Sequence, residues 1–164
     1  MKMIKRILSQ WHSFVLWLLV SALFWSWIFT FVTDTSPEKK VTVYCKVPEI
    51  QDIALAAALE ERAPEGLRMI KVHSFDYVMF GLDAFYQGDI FIVPASEIET
   101  YADVLALIEG KRDVKAYDAA SGAGIAMDYI RYDQEDYYLY LGSGSKHLED
   151  GKALEVARQL LNMK

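Results

Sequence analysis

Three regimes of hydrophobic and polar residues follow one another along the chain. From residue 11 to residue 33 it is apolar almost throughout, with no Asp, Glu, Lys or Arg between Arg6 and Asp34. A helix of about 20 residues at roughly 1.5 Å rise crosses a hydrocarbon core of about 30 Å, so this regime predicts one transmembrane helix over 11–33. A cleaved secretory signal is the rival reading. Its apolar part would be about 7 to 15 residues long and end in small residues, whereas Trp25, Trp27, Ile28, Phe29 and Phe31 stand there, which favours an uncleaved anchor. Lys2, Lys5 and Arg6 precede the run, and Lys39 and Lys40 beyond it reduce the asymmetry without reversing it. The expectation is therefore a cytoplasmic N-terminus over 1–10 and an extracytoplasmic remainder in the cell membrane.

The second regime, residues 34–40, is short, polar and contains Pro37, and reads as a linker. In the third, residues 41–164, the period changes repeatedly. Residues 41–47 alternate and are rich in β-branched types, which predicts a strand. Pro48 then opens a helical pattern through Ile50, Ile53, Leu55 and Leu59, ending near Gly66. Residues 67–73 alternate again, and a second helix is expected through Met79, Leu82 and Phe85 to Gly88. Residues 89–93 are nearly uninterrupted apolar, as in a central strand covered on both faces. Pro94 starts a third predicted helix with Ser96 as its cap. Residues 119–124 are Gly- and Ala-rich and read as a turn between short extended pieces, 137–141 as a further strand, and 150–162 as an amphipathic helix. The order βαβαβα predicts an α/β domain with a mainly parallel sheet flanked by helices. Ligands of such sheets bind beyond the carboxyl ends of the strands, near the switch in strand order.

Charge narrows the function classes. The 23 acids all fall after residue 33, while the first 33 residues hold only bases, so the globular part is acidic and no nucleic-acid partner is expected. Cys45 is the only cysteine, which excludes an intramolecular disulfide and leaves a small buried hydrophobe as its reading. His12, His73 and His147 lack metal-ligand spacing, and the glycine pairs at 122–124 and 142–144 lack the endings of phosphate loops. No G-x-S-x-G elbow is present. No catalytic residue, metal or cofactor is assigned, and an enzyme is not expected.

With the elements placed, KVTVYCKVPEIQDIALAAALEE, LRMIKVHSFDY and GDIFIVPASEIETY together resemble the first lobe of the periplasmic-type extracellular solute-binding proteins of ABC transporters. The tail, YYLYLGSGSKHLEDGKALEVARQLL, resembles that family's closing strand, turn and helix. The resemblance covers about two thirds of the chain. It implies one binding lobe where the family has two, tethered at the membrane, taking a small polar solute or serving a polytopic partner such as a permease. It also implies that Glu49 and Gln51, then Ser74, Asp76 and Tyr77, then Ser96 and Glu97 line the ligand-facing edge, with Phe75 or Tyr77 stacking on the solute. The alternative for the same residues is local: Ser96 and Asp76 cap helices, and Glu49 and Glu97 complement positive helix ends. The alternative for the whole chain is a structural or interaction protein docking onto a larger membrane complex without binding a solute. Tyr129, Tyr132, Tyr137, Tyr138 and Tyr140, amid Asp128, Asp133, Glu135 and Asp136, are either a carbohydrate or protein contact surface or a strand packing its tyrosines inward.

Overall fold

The computed structural model describes residues 2–33, 36–75, 83–110 and 114–163, with side chains of the first helix described at 11 and 13–29. The chain divides into two units, Met1–Thr35 and Ser36–Lys164.

The first unit is one α-helix, α1, Lys2–Thr33. Trp11, Phe14, Leu16 and Trp17 along it are exposed. No helix among the described residues is long and apolar enough to cross a membrane, which corrects the transmembrane expectation for 11–33.

The second unit is built on a seven-stranded sheet with strands β1 (Lys40–Cys45), β3 (Met69–Ser74), β4 (Ile90–Pro94), β5 (Leu105–Ala106), β6 (Lys115–Asp118), β7 (Ala123–Gly124) and β9 (Tyr137–Gly142). A separate two-residue ladder joins β2 (Glu49–Ile50) to β8 (Ile130–Arg131). The helices are α2 (Asp52–Glu60), α3 (Asp83–Tyr86) and α4 (Lys152–Asn162), and Ala95–Val104 is a 3-10 helix. The sheet order is β3-β1-β4-β9-β6-β7, with β5 on β9. β1 runs parallel to both β3 and β4, as the βαβ pattern implies. The expectation of a mainly parallel sheet is corrected: β9 runs antiparallel to β4, and β5, β6 and β7 are antiparallel additions, so the sheet is mixed. The cause lies in the connections. β1, β3 and β4 are joined through α2 and α3 and run the same way, whereas β9 reaches β4 only after the chain has passed through β5 to β8 and enters the sheet in the opposite direction.

Alternation along β1 sorts the core into two layers. Val41, Val43 and Cys45 face one way, onto Leu55 and Leu59 of α2 and Ala153, Val156, Ala157 and Leu160 of α4. Those helical positions recur at three- and four-residue spacing, so each helix buries one stripe. Tyr44 faces the other way, into an aromatic layer of Phe75, Phe85, Phe91 and Tyr101. Tyr44 stacks on Phe91 at 5.5 Å between ring centres, and Phe75 meets Tyr101 edge-on at 5.3 Å. Ile90, Phe91, Ile92 and Val93 are fully buried, consistent with their apolar run and central place. Cys45 is equally buried, and burial pushes its thiol up to about 12, so it is an inert core residue.

Three expected helices change form. Glu49 and Ile50 pair with Arg131 and Ile130, so the first helix begins only at Asp52. Most of the second falls outside the described residues, which show Asp83–Tyr86. The third is a 3-10 helix whose cap position is Pro94; Ser96 makes no capping bond.

Candidate functional site

Because β1, β3 and β4 are parallel, their carboxyl ends emerge at one edge. β3 lies on one side of β1 and the later β4 on the other, so strand order reverses at β1, the position at which open α/β sheets bind ligands. A cavity of about 340 Å³ opens at that edge. Lys46 and Pro48 follow β1, Ser74 ends β3, Pro94 ends β4 and Glu97 follows it along the rim. The loop entering β9 adds Asp133, Glu135 and the first strand residue, Tyr137.

Hydrogen bonds fix this loop over the 3-10 helix. Ser96 Oγ donates to Glu135 Oε2 at 2.8 Å, and the Ala95 amide donates to the Asp136 carbonyl at 2.8 Å. On its far side the Asp136 carboxylate accepts the Ala119 amide at 2.9 Å and pairs with Lys115 at 2.8 Å. At the other wall, the Lys46 amide donates to the Ile92 carbonyl at 2.8 Å, holding the ends of β1 and β4 together. The loop is therefore anchored through Glu135 and Asp136, at the end that enters β9.

Carboxylates dominate the cavity: Glu97, Asp133 and Glu135 stand against the one ammonium of Lys46. Their field reaches Tyr137, whose phenol is raised mainly by burial, with a hydrogen bond to the Asp133 backbone opposing and the charges of Asp133, Glu135 and Glu97 adding. The rim thus offers hydrogen-bond acceptors, the Ser74 hydroxyl and a net negative potential, which suits a polar ligand bearing N–H donors and positive charge.

Of the residues expected at the ligand edge, Ser74 and Glu97 line this cavity and Ser96 positions its Glu135. Asp76 and Tyr77 lie outside the described residues. Phe75 is buried in the aromatic layer and is not a stacking platform. Glu49 and Gln51 are elsewhere, in a wider cleft of about 410 Å³ shared with Tyr117, Asp128, Arg131 and Tyr132. The short ladder with β8 draws them there: Glu49 pairs with Arg131 at 3.2 Å, both exposed, and the Gln51 amide donates to the Tyr129 carbonyl at 2.9 Å. That cleft is the larger, but its charged pair is self-neutralised and two of its three tyrosine rings, Tyr117 and Tyr132, lie on each other, 4.7 Å apart and 7° from parallel. The switch-point cavity is the better candidate.

Lys46, Asp133, Glu135 and Tyr137 were not among the expected ligand residues. Asp133 and Glu135 carried a signal in the acidic and aromatic concentration before β9, but nothing in local sequence shows that this loop returns to the edge formed by Ser74 and Glu97. No family model, curated protein or solved structure matches this chain.

Proposed function

We propose that Ser36–Lys164 is a solute-binding module that takes a small, positively charged polar ligand, in keeping with the resemblance to periplasmic-type solute-binding proteins. The observation that carries this reading is the position of the acidic cavity at the reversal of strand order, with Ser74 from β3, Glu97 after β4 and Glu135 from the loop before β9 around one space. A volume of about 340 Å³ is at the lower end of the range for small-molecule sites, so an amino acid or short amine is the expected size. The test is a thermal-shift screen of the full chain against basic amino acids, polyamines, sugars and oligopeptides. A ligand at about 100 times its Kd adds about 2.7 kcal/mol to stability. A rise in melting temperature confined to amines supports the proposal, and an unchanged melting temperature with every compound removes it.

A second reading rests on a different observation. Trp11, Phe14, Leu16 and Trp17 of α1 are exposed, and contiguous apolar surface of this kind marks interaction sites. In that reading the chain is an interaction protein or accessory subunit that docks through α1 onto a larger complex. Co-purification of a stoichiometric partner with the full chain, lost on changing Phe14, Leu16 and Trp17 to serine, separates it from the first.

A further inference from the structure

The Tyr44 face of the sheet carries a second hollow with the opposite polarity. β1 and β3 pair in register with Thr42 opposite Lys71 and Tyr44 opposite His73. Alternate residues of both strands therefore point to one side, and Lys40, Thr42 and Tyr44 of β1 stand beside Lys71 and His73 of β3. These side chains, with Gln87 and Lys146, line a cavity of about 220 Å³.

We infer that this hollow binds a small oxyanion of the phosphate class between Lys40, Lys71 and Lys146. The charge distribution is the first support. Residues 34–164 hold 23 acids against 14 bases, yet three lysines and a histidine meet at one small cavity of this acidic unit. Like charges held together in this way gain by taking up an anion. None of these lysines forms an ion pair among the described residues, whose pairs are made by Lys115, Lys152, Arg131, Arg158 and His147.

The one carboxylate in the wall is turned to other donors. Asp89 Oδ2 accepts the Thr42 amide at 2.7 Å, and Oδ1 accepts the Ser145 hydroxyl at 2.5 Å. Its charge is thereby engaged by fixed dipoles and by the nearby His147 and Lys40, while Lys71 and Lys146 stand exposed at the cavity. His73 reports the same field: its imidazole is lowered first by burial and then by Lys71, with Lys40 adding and only Asp52 opposing. Tyr44, 5.8 Å from the His73 ring between centres, closes one side, its hydroxyl donating to the Ala84 carbonyl at 3.4 Å. The volume is too small for a drug-sized ligand and fits a compact anion.

The site is separate from the proposed amine site and stands or falls independently of it. Calorimetric titration of the full chain with inorganic phosphate in one arm and glycerol phosphate in the other, at constant ionic strength, tests it. Saturable binding is expected in at least one arm. Tighter binding of the ester points to a phosphorylated ligand, and tighter binding of the free ion to phosphate itself. In K40Q/K71Q/K146Q binding should weaken at least about tenfold, because three such contacts, each contributing about threefold, are removed together. Lys71 and Lys146 are exposed, so the fold should survive, with an unchanged circular-dichroism spectrum as the check. If the triple variant misfolds, K146Q alone, on a surface turn, should still weaken binding about threefold or more. No saturable binding in either arm, or equal binding by wild type and a folded variant, overturns the inference.

Discussion

The Asp89 carboxylate accepts the Ser145 hydroxyl at 2.5 Å across 56 residues of sequence, and both side chains are buried. The bond ties the start of β4 to the turn after β9. The same hydroxyl then accepts the His147 amide at 3.0 Å, so one serine organises the entire turn. Ser145→Ala leaves a buried carboxylate short of a donor and should cost about 1–3 kcal/mol. Urea denaturation with an unchanged m-value checks this, and a loss below about half a kcal/mol would show the bond to be incidental.

His147 is a second tie. Its Nε2 lies 3.1 Å from the Pro37 carbonyl and 3.2 Å from that of Lys40, and its Nδ1 lies 3.0 Å from Asp150. The imidazole thus fastens the segment entering β1 to the turn before α4. His147→Ala opens a cavity and unpairs part-buried acceptors, for an expected loss of about 2–4 kcal/mol. Amide exchange should become faster at Lys40 and Val41 than in α2 if the loss is local.

Gly142 and Gly88 meet backbone to backbone where β9 passes the turn before β4. A Cβ on Gly142 would collide with the Gly88 carbonyl, which has no rotamer by which to retreat. Gly142→Ala should therefore cost about 3 kcal/mol or more. Gly122 has open space and a φ of +68°, so Gly122→Ala meets only backbone strain, on the order of 1–2 kcal/mol. Melting temperatures of the two variants should fall in that order.

Acid should weaken the loop that frames the acidic cavity. Hydrogen bonds from Lys115 and Ser121 hold the Asp118 carboxyl down at about 2, and those from Lys115 and the Ala119 amide lower that of Asp136. Both lie below the unfolded value of about 3.9, so their contribution is present above roughly pH 4 and is lost as pH falls toward 2. Lys115→Met should flatten the stability profile over that window, as followed by melting temperature against pH. An unchanged acid slope would show that the clamp does not couple to folding.

Much of the globular unit was legible because burial follows period. The alternation at 41–45 and 69–74, the apolar run at 90–93 and the helical stripe of α4 each lie where their patterns imply. The tyrosines before and within β9 pack inward, with Tyr137 and Tyr140 buried on opposite faces. What local pattern does not encode is partner direction. Residues 137–141 read as a strand, but that β9 runs antiparallel to β4 depends on a long-range return of the chain. The 3-10 form of Ala95–Val104 also escaped, because the same apolar positions satisfy either helix. At the site, Ser74 and Glu97 followed from the rule that ligands meet strand ends. Glu49 and Gln51 followed from it too, but were displaced by a two-residue ladder too short to leave a periodic signal.

The most direct measurement is calorimetric titration of the full chain, wild type and Glu97→Gln/Glu135→Gln, with the amine that gives the largest thermal shift. Removing two of the three carboxylates around the cavity should weaken binding by at least about tenfold, roughly 1.4 kcal/mol, while leaving oxyanion binding at the lysine cavity unchanged. Equal affinity in the folded double variant would contradict ligand binding at the strand-order reversal.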